Sequence, residues 1–179
     1  RKDNLVVAYH GDGAAYSIGM AHTMWSAIRN ENITVIVVNN QVFGMTGGQM
    51  APTTLDGQKT TSTPLGRDIN LSGSPFDVTK VLKSFDIAYL ARGSVDSPAE
   101  INKTKKYIAN GIKNQMEGKG FSLIEVLSPC PTNWNVAPLD AIKHMNETVK
   151  NVFALGEFIK DGVVSVSYTH LTLPTSDLV

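Results

Sequence analysis

Leu5-Val-Val-Ala-Tyr-His-Gly-Asp-Gly13, followed one helix length later by Ile33-Thr-Val-Ile-Val-Val-Asn-Asn40, is the part of the sequence that decides the fold. Leu5 to Tyr9 is short, apolar and rich in β-branched residues, and Gly11-Asp12-Gly13 closes it, which predicts a strand and a tight turn. Ala14 to Arg29 then carries small and apolar residues at helical spacing. Ile33 to Val38 is nearly apolar on both faces, the pattern of a parallel strand covered by helices on each side. Strand, helix and strand make a βαβ unit, whose right-handed crossover sets the two strands side by side.

Working outward, the pattern repeats. Asp77 to Phe85 reads as a short helix, Ile87 to Ala91 as a third strand, and Pro98 to Glu117 as a helix with Ser97 as its N-cap and Gly118 at its end. Phe121 to Leu127 reads as a fourth strand, and Pro138 to Phe153 as a helix opened by proline in its first turn. Alternating strands and helices imply an α/β domain with a largely parallel sheet flanked by helices. Between Asn39 and about Pro75 the chain is polar and rich in Gly and Thr, with little apolar periodicity. Long connections of this kind usually bind something, and this one leaves the carboxyl end of a parallel strand, where open α/β sheets take their ligands. The site is expected there.

Composition bounds the function. The 179 residues are 42% hydrophobic and 18% charged, with 16 basic against 16 acidic side chains, as in one globular domain. No stretch reaches the roughly 18 apolar residues of a membrane span, and zero formal net charge argues against nucleic-acid or membrane partners. A domain of this length buries about 70% of the surface its unfolded chain exposes, so its core needs no staples. Cys130 is the single cysteine, which fits a reducing compartment, and a cytoplasmic location is expected. Arg1 stands where a Met would open a gene, and a core strand follows almost at once; residues 1–163 are read as an N-terminally truncated domain. Residues 164–179, including His170, resemble the translated end of a transposase adapter and are read as a non-native or disordered tail.

The chemistry is expected at the ends of the first two strands. Gly11 and Gly13 permit a turn whose backbone approaches an anion at a helix N-terminus. A dinucleotide fingerprint fits poorly, because its sixth position is Tyr16 and Asp12 would repel a pyrophosphate. Asp12 makes sense if a divalent cation such as Mg²⁺ lies between it and the phosphates. Asn40, emerging beside that turn, can supply a neutral oxygen to the same ion, and Gly47-Gly48 can offer backbone amides to phosphate. Either turn alone reads as ordinary strand punctuation; their spacing across one βαβ unit is what favours a site.

That pairing of Gly-Asp-Gly with Asn-Asn resembles the thiamine-diphosphate signature. The stretch Val37-Val-Asn-Asn-Gln-Val-Phe-Gly-Met-Thr-Gly-Gly-Gln-Met-Ala-Pro-Thr-Thr54 resembles the β subunit of 2-oxoacid:ferredoxin oxidoreductases. So do Gly57 to Arg67 and Phe121 to Trp134, and the likeness covers most of Leu5 to Ile159. The resemblance implies a subunit that oxidatively decarboxylates a 2-oxoacid to acyl-CoA and CO₂, with electrons passed to ferredoxin. Activity then requires an α subunit, with γ and δ subunits in some complexes, because the glutamate that activates the cofactor comes from a partner. By the same resemblance, Asp12, the Asn40 side chain and the Val42 carbonyl hold Mg²⁺, while Gly11, Gly13, Thr46 and Gly47 lie around the diphosphate. Ala14 departs from the acidic residue frequent after this Gly-Asp-Gly.

Cys130, in Ser128-Pro-Cys-Pro-Thr-Asn-Trp134, reads on chemistry alone as a small buried hydrophobe. The resemblance makes it one of four thiolates for a [4Fe-4S] cluster in the intact subunit, since one cysteine cannot hold a cubane. Met45 is expected near the substrate side chain, and Gly44-Met45 leans the expected acid toward the branched-chain or 2-oxoglutarate groups. Lys59 and Arg67 meet an acidic substrate, coenzyme A or a partner, or else form a solvated loop face. His10 reads as a polar strand end, and His22 and His144 as helix residues. Two rivals share the fold: a non-oxidative thiamine decarboxylase or carboligase, and a non-catalytic assembly subunit.

Overall fold

A computed structural model describes residues 4–165, so His170 and residues 166–179 of the expected tail lie outside the described residues. Strand β1 (Val7–Gly11) runs through a π turn (Ala14–Ile18) into α1 (Met20–Ile28), and β2 (Thr34–Asn39) returns parallel to β1 with Gly11 in register with Val38. The site segment holds a small hairpin, β3 (Val42–Phe43) against β4 (Gln49–Met50), and a single turn, α2 (Ile69–Ser72). Then come α3 (Val78–Leu82), β5 (Tyr89–Ser94), α4 (Pro98–Met116) and β6 (Ser122–Leu127). The described residues end with α5 (Pro131–Trp134), α6 (Pro138–His144), a second π turn (Met145–Val149), α7 (Lys150–Val152), β7 (Gly156–Lys160) and β8 (Val163–Val164).

The sheet order is β1-β2-β6-β5-β7-β8. The first four strands are mutually parallel, as the apolar runs predict. The antiparallel pair β7–β8 is a feature the sequence reading missed. Gly156 to Lys160 has one fully buried apolar side chain, Ile159, and so lacks the apolar run that marks an inner strand. Val164, the first residue assigned to the tail, pairs with Ile159 in that hairpin.

Alternation along the inner strands sorts the core into two faces. Val35, Val37, Leu90 and Leu123 pack with Ala27 of α1 and Val78 and Leu82 of α3. Tyr89, Ala91, Ile124 and Val126 pack on the opposite face with Tyr107 and Ile108 of α4. Each fully buried Val, Leu or Ile side chain among them contributes about 1.5–3 kcal/mol. Helix α4 starts where Ser97 caps the Glu100 N–H at 3.3 Å with Pro98 in the first turn. A third cluster, Leu55, Leu127, Met145, Val149 and Phe153, fastens the last helices under the site segment.

Candidate functional site

The end of β1 and the end of β2 meet at one carboxylate. Asp12 is 2% exposed. Its Oδ1 accepts the Gly13 N–H at 2.9 Å, and its Oδ2 accepts the Gln41 N–H at 2.9 Å and the Thr53 hydroxyl. The Gly-Asp-Gly and Asn-Asn turns are therefore brought together, as their spacing predicts, with Thr53 as a further partner. Burial pushes the Asp12 pKa up to about 6 despite the lowering by these bonds, and the charge of Glu125 adds to the rise. No described Lys or Arg forms an ion pair with Asp12. A buried carboxylate ringed by neutral donors fits a cation supplied from outside the chain.

Asn40 is half-buried beside it. Its Oδ1 accepts the Val42 N–H at 3.3 Å, and its backbone carbonyl accepts the Trp134 indole N–H at 3.0 Å. One carboxylate, one amide oxygen and backbone carbonyls are the hard oxygen donors that Mg²⁺ takes. Such a set has a single acidic member, and no group of three His, Cys, Asp or Glu side chains suited to a metal occurs among the described residues. Gly13 is buried against the Phe43 ring, which a Cβ at this position would strike.

The hairpin turn corrects one expectation. The amides of Gly47 and Gly48 are already used, donating to the Gly44 carbonyl at 3.4 Å and the Phe43 carbonyl at 2.8 Å. Their role is conformational, at φ values of 118° and 76° that favour glycine. The exposed Thr46 hydroxyl donates to Gln49 Oε1 at 2.6 Å, and Met45 beside it is fully exposed. Cys130 is half-buried at the head of α5, its Sγ accepting from Asn133 Nδ2 at 3.1 Å, and Asn133 packs against Gly44 and Gly48. The cysteine segment thus borders the hairpin as well as the Asn40 turn.

Arg67 overturns both of its expected roles. It is 4% exposed and donates seven hydrogen bonds to the carbonyls of Ala51, Pro52, Thr54, Ser72, Gly73 and Ser74. It is the staple of the site segment, and this explains how a polar stretch without periodicity stays ordered. Lys59 is exposed and lines a cavity of about 270 Å³ with Asp56, Trp134 and His144. His10 and His22 line a separate cavity of about 370 Å³, which Asp12 does not reach.

Residues 1–126 match the family described as thiamine pyrophosphate enzyme, C-terminal TPP binding domain. The chain belongs to the thiamine pyrophosphate enzymes. Among the similar proteins, ketoisovalerate oxidoreductase subunit VorA of Methanothermobacter thermautotrophicus is 39% identical over 157 residues, 87% of this chain and 33% of the relative. The 2-oxoglutarate synthase subunit KorB of Archaeoglobus fulgidus is 38% identical over 145 residues, 81% of this chain and 50% of the relative. The 2-oxoglutarate:ferredoxin oxidoreductase of Magnetococcus marinus, with 2-oxoglutarate, coenzyme A and succinyl-CoA bound, superimposes with a TM-score of 0.65 at 28% identity, covering 82% of this chain and 46% of that one. This member of the thiamine pyrophosphate enzymes thus spans a third to half of these relatives, and the resemblance to 2-oxoacid oxidoreductase subunits is borne out.

Proposed function

We propose that this chain is the cofactor-holding part of a cytoplasmic 2-oxoacid:ferredoxin oxidoreductase that converts a 2-oxoacid and coenzyme A to acyl-CoA and CO₂. The observation that carries the reading is the buried Asp12 carboxylate, joined to the Asn40 turn through the Gln41 N–H and paired with no Lys or Arg among the described residues. Asp12, Asn40 Oδ1 and the Val42 carbonyl hold Mg²⁺, which neutralises the diphosphate. Gly11, Gly13, Thr46 and Gly47 lie around the diphosphate. Bound thiamine diphosphate supplies a nucleophilic carbon and an electron sink for decarboxylation. The protein's own part is to bind and orient it. Met45, at the exposed hairpin tip, meets the substrate side chain, and Cys130 supplies one thiolate to a [4Fe-4S] cluster whose other ligands lie elsewhere in the intact subunit. The α subunit completes the site, and ferredoxin takes the electrons.

The test is anaerobic viologen reduction by the native complex with coenzyme A and, separately, pyruvate, 2-oxoglutarate and 2-oxoisovalerate. Reduction that needs both acid and coenzyme A is expected, fastest with 2-oxoisovalerate or 2-oxoglutarate. A complex loaded with thiamine diphosphate and intact clusters that reduces nothing with any of the three acids overturns the reading.

A further inference from the structure

A buried polar relay runs from the candidate site into the middle of the sheet. Glu125 is fully buried on β6, in register with Arg92 of β5 and Val37 of β2. Its Oε2 pairs with Arg92 Nε, and Arg92 reaches on to Asp77 Oδ1 at 2.6 Å, at the head of α3. Its other oxygen, Oε1, accepts from Asn39 Nδ2 at 3.0 Å. A carboxylate only accepts, whereas an Asn amide donates at one end and accepts at the other. Glu125 therefore turns the amide oxygen of Asn39 toward the Asn40 turn, where it accepts the Gln41 N–H at 3.2 Å and Gln41 Nε2 at 2.8 Å.

Gln41 is the point on which this acts. It is fully buried at φ 61°, a left-handed conformation that non-glycine residues adopt only where their surroundings over-determine it. The same N–H that Asn39 receives also reaches Asp12 Oδ2. Gln41 lies between Asn40 and Val42, so its backbone sets where the Asn40 side chain and the Val42 carbonyl stand.

Resting on the cofactor reading above, we propose that Glu125 and Asn39 are positioning residues for the Mg²⁺–thiamine diphosphate site, with Glu125 orienting Asn39 and Asn39 clamping the Gln41 turn. Neither touches the cofactor. Partners that orient ligands from behind in this way typically change metal affinity by about 10–100-fold when removed.

The experiment titrates thiamine diphosphate at a fixed, subsaturating Mg²⁺ concentration into the apo form of the full complex, read by tryptophan fluorescence, with the melting temperature of each apo variant measured alongside. Glu125→Gln and Asn39→Asp each weaken binding by about tenfold or more. Glu125→Asp keeps the charge beside Arg92 and so the fold, yet withdraws the acceptor from Asn39, and it too binds at least about tenfold more weakly. The double variant Asn39→Asp/Glu125→Gln reverses donor and acceptor across the same bond and recovers affinity to within about threefold of wild type. Wild-type affinity in Glu125→Asp and Asn39→Asp, or a double variant no better than the worse single, overturns the relay. Asp12→Ala separates the two claims: if it alone loses the cofactor, the relay fails and the site stands; if it binds normally, the cofactor reading fails and the relay with it.

Discussion

Gly13 shows how one missing carbon shapes the site. The Phe43 ring fills the space where a Cβ would stand, so the two turns close on each other only with glycine at this position. Gly13→Ala forces the ring away at a cost of about 1–3 kcal/mol. Thiamine diphosphate affinity in the complex should fall by about tenfold for each 1.4 kcal/mol felt at the turn, and adding Phe43→Ala should return part of it. Normal affinity in Gly13→Ala would sink the argument. Met45 makes a different kind of prediction, because it is fully exposed among the described residues. Met45→Asn is expected to shift the ratio of kcat/KM between 2-oxoisovalerate and 2-oxoglutarate by about tenfold. An unchanged ratio removes Met45 from the substrate site.

At the scale of elements, the buried trio of Asp77, Arg92 and Glu125 joins α3, β5 and β6 beneath the site. The sequence reading passes these charges over: it ends the third strand at Ala91, one residue before Arg92, and does not single out Glu125 within the fourth, although a charge inside a buried strand needs an opposite charge nearby. What the sequence could not show was the register that sets Arg92 opposite Glu125. Burial pushes Asp77 up, but the Arg92 charge and the bonds from Arg92 and Thr79 outweigh it and hold its pKa below the usual carboxylate value. A lowered folded pKa means stability that is present above the unfolded value and lost as pH falls through the folded one. Asp77→Asn should therefore lower the unfolding free energy at pH 7, and the gap to wild type should shrink as pH drops below about 4. Denaturant titrations of the full-length subunit at both pH values check this; a gap that persists in acid would contradict it. The site segment carries the same lesson. Its order comes from Arg67 reaching six carbonyls across a chain with almost no apolar pattern, a set of contacts that periodicity does not encode.

At the scale of the whole molecule, the parallel strands β1 and β2 deliver the Asp12 and Asn40 turns, and the segment after β6 delivers Cys130 to the same region through Asn133 and Trp134. Among the described residues no helix is long and apolar enough to cross a membrane. Cys130 is the single cysteine of the sequence, so a four-thiolate cluster there needs cysteines from outside it. In the native complex Cys130→Ser is expected to abolish one reduced-cluster EPR signal while thiamine diphosphate still binds. An unchanged spectrum and iron content would show that Cys130 is a packing residue.

By itself the sequence determined the βαβ start, the parallel inner strands and the two turns that meet at Asp12, because apolar period and glycine punctuation are local properties of a chain. The partners of Asp12, the left-handed Gln41, the buried Arg67 and the antiparallel β7–β8 edge were decided only by tertiary structure. Each of these depends on hydrogen bonds that follow no fixed spacing along the chain or on a half-buried surface, and neither leaves a periodic trace in the order of residues.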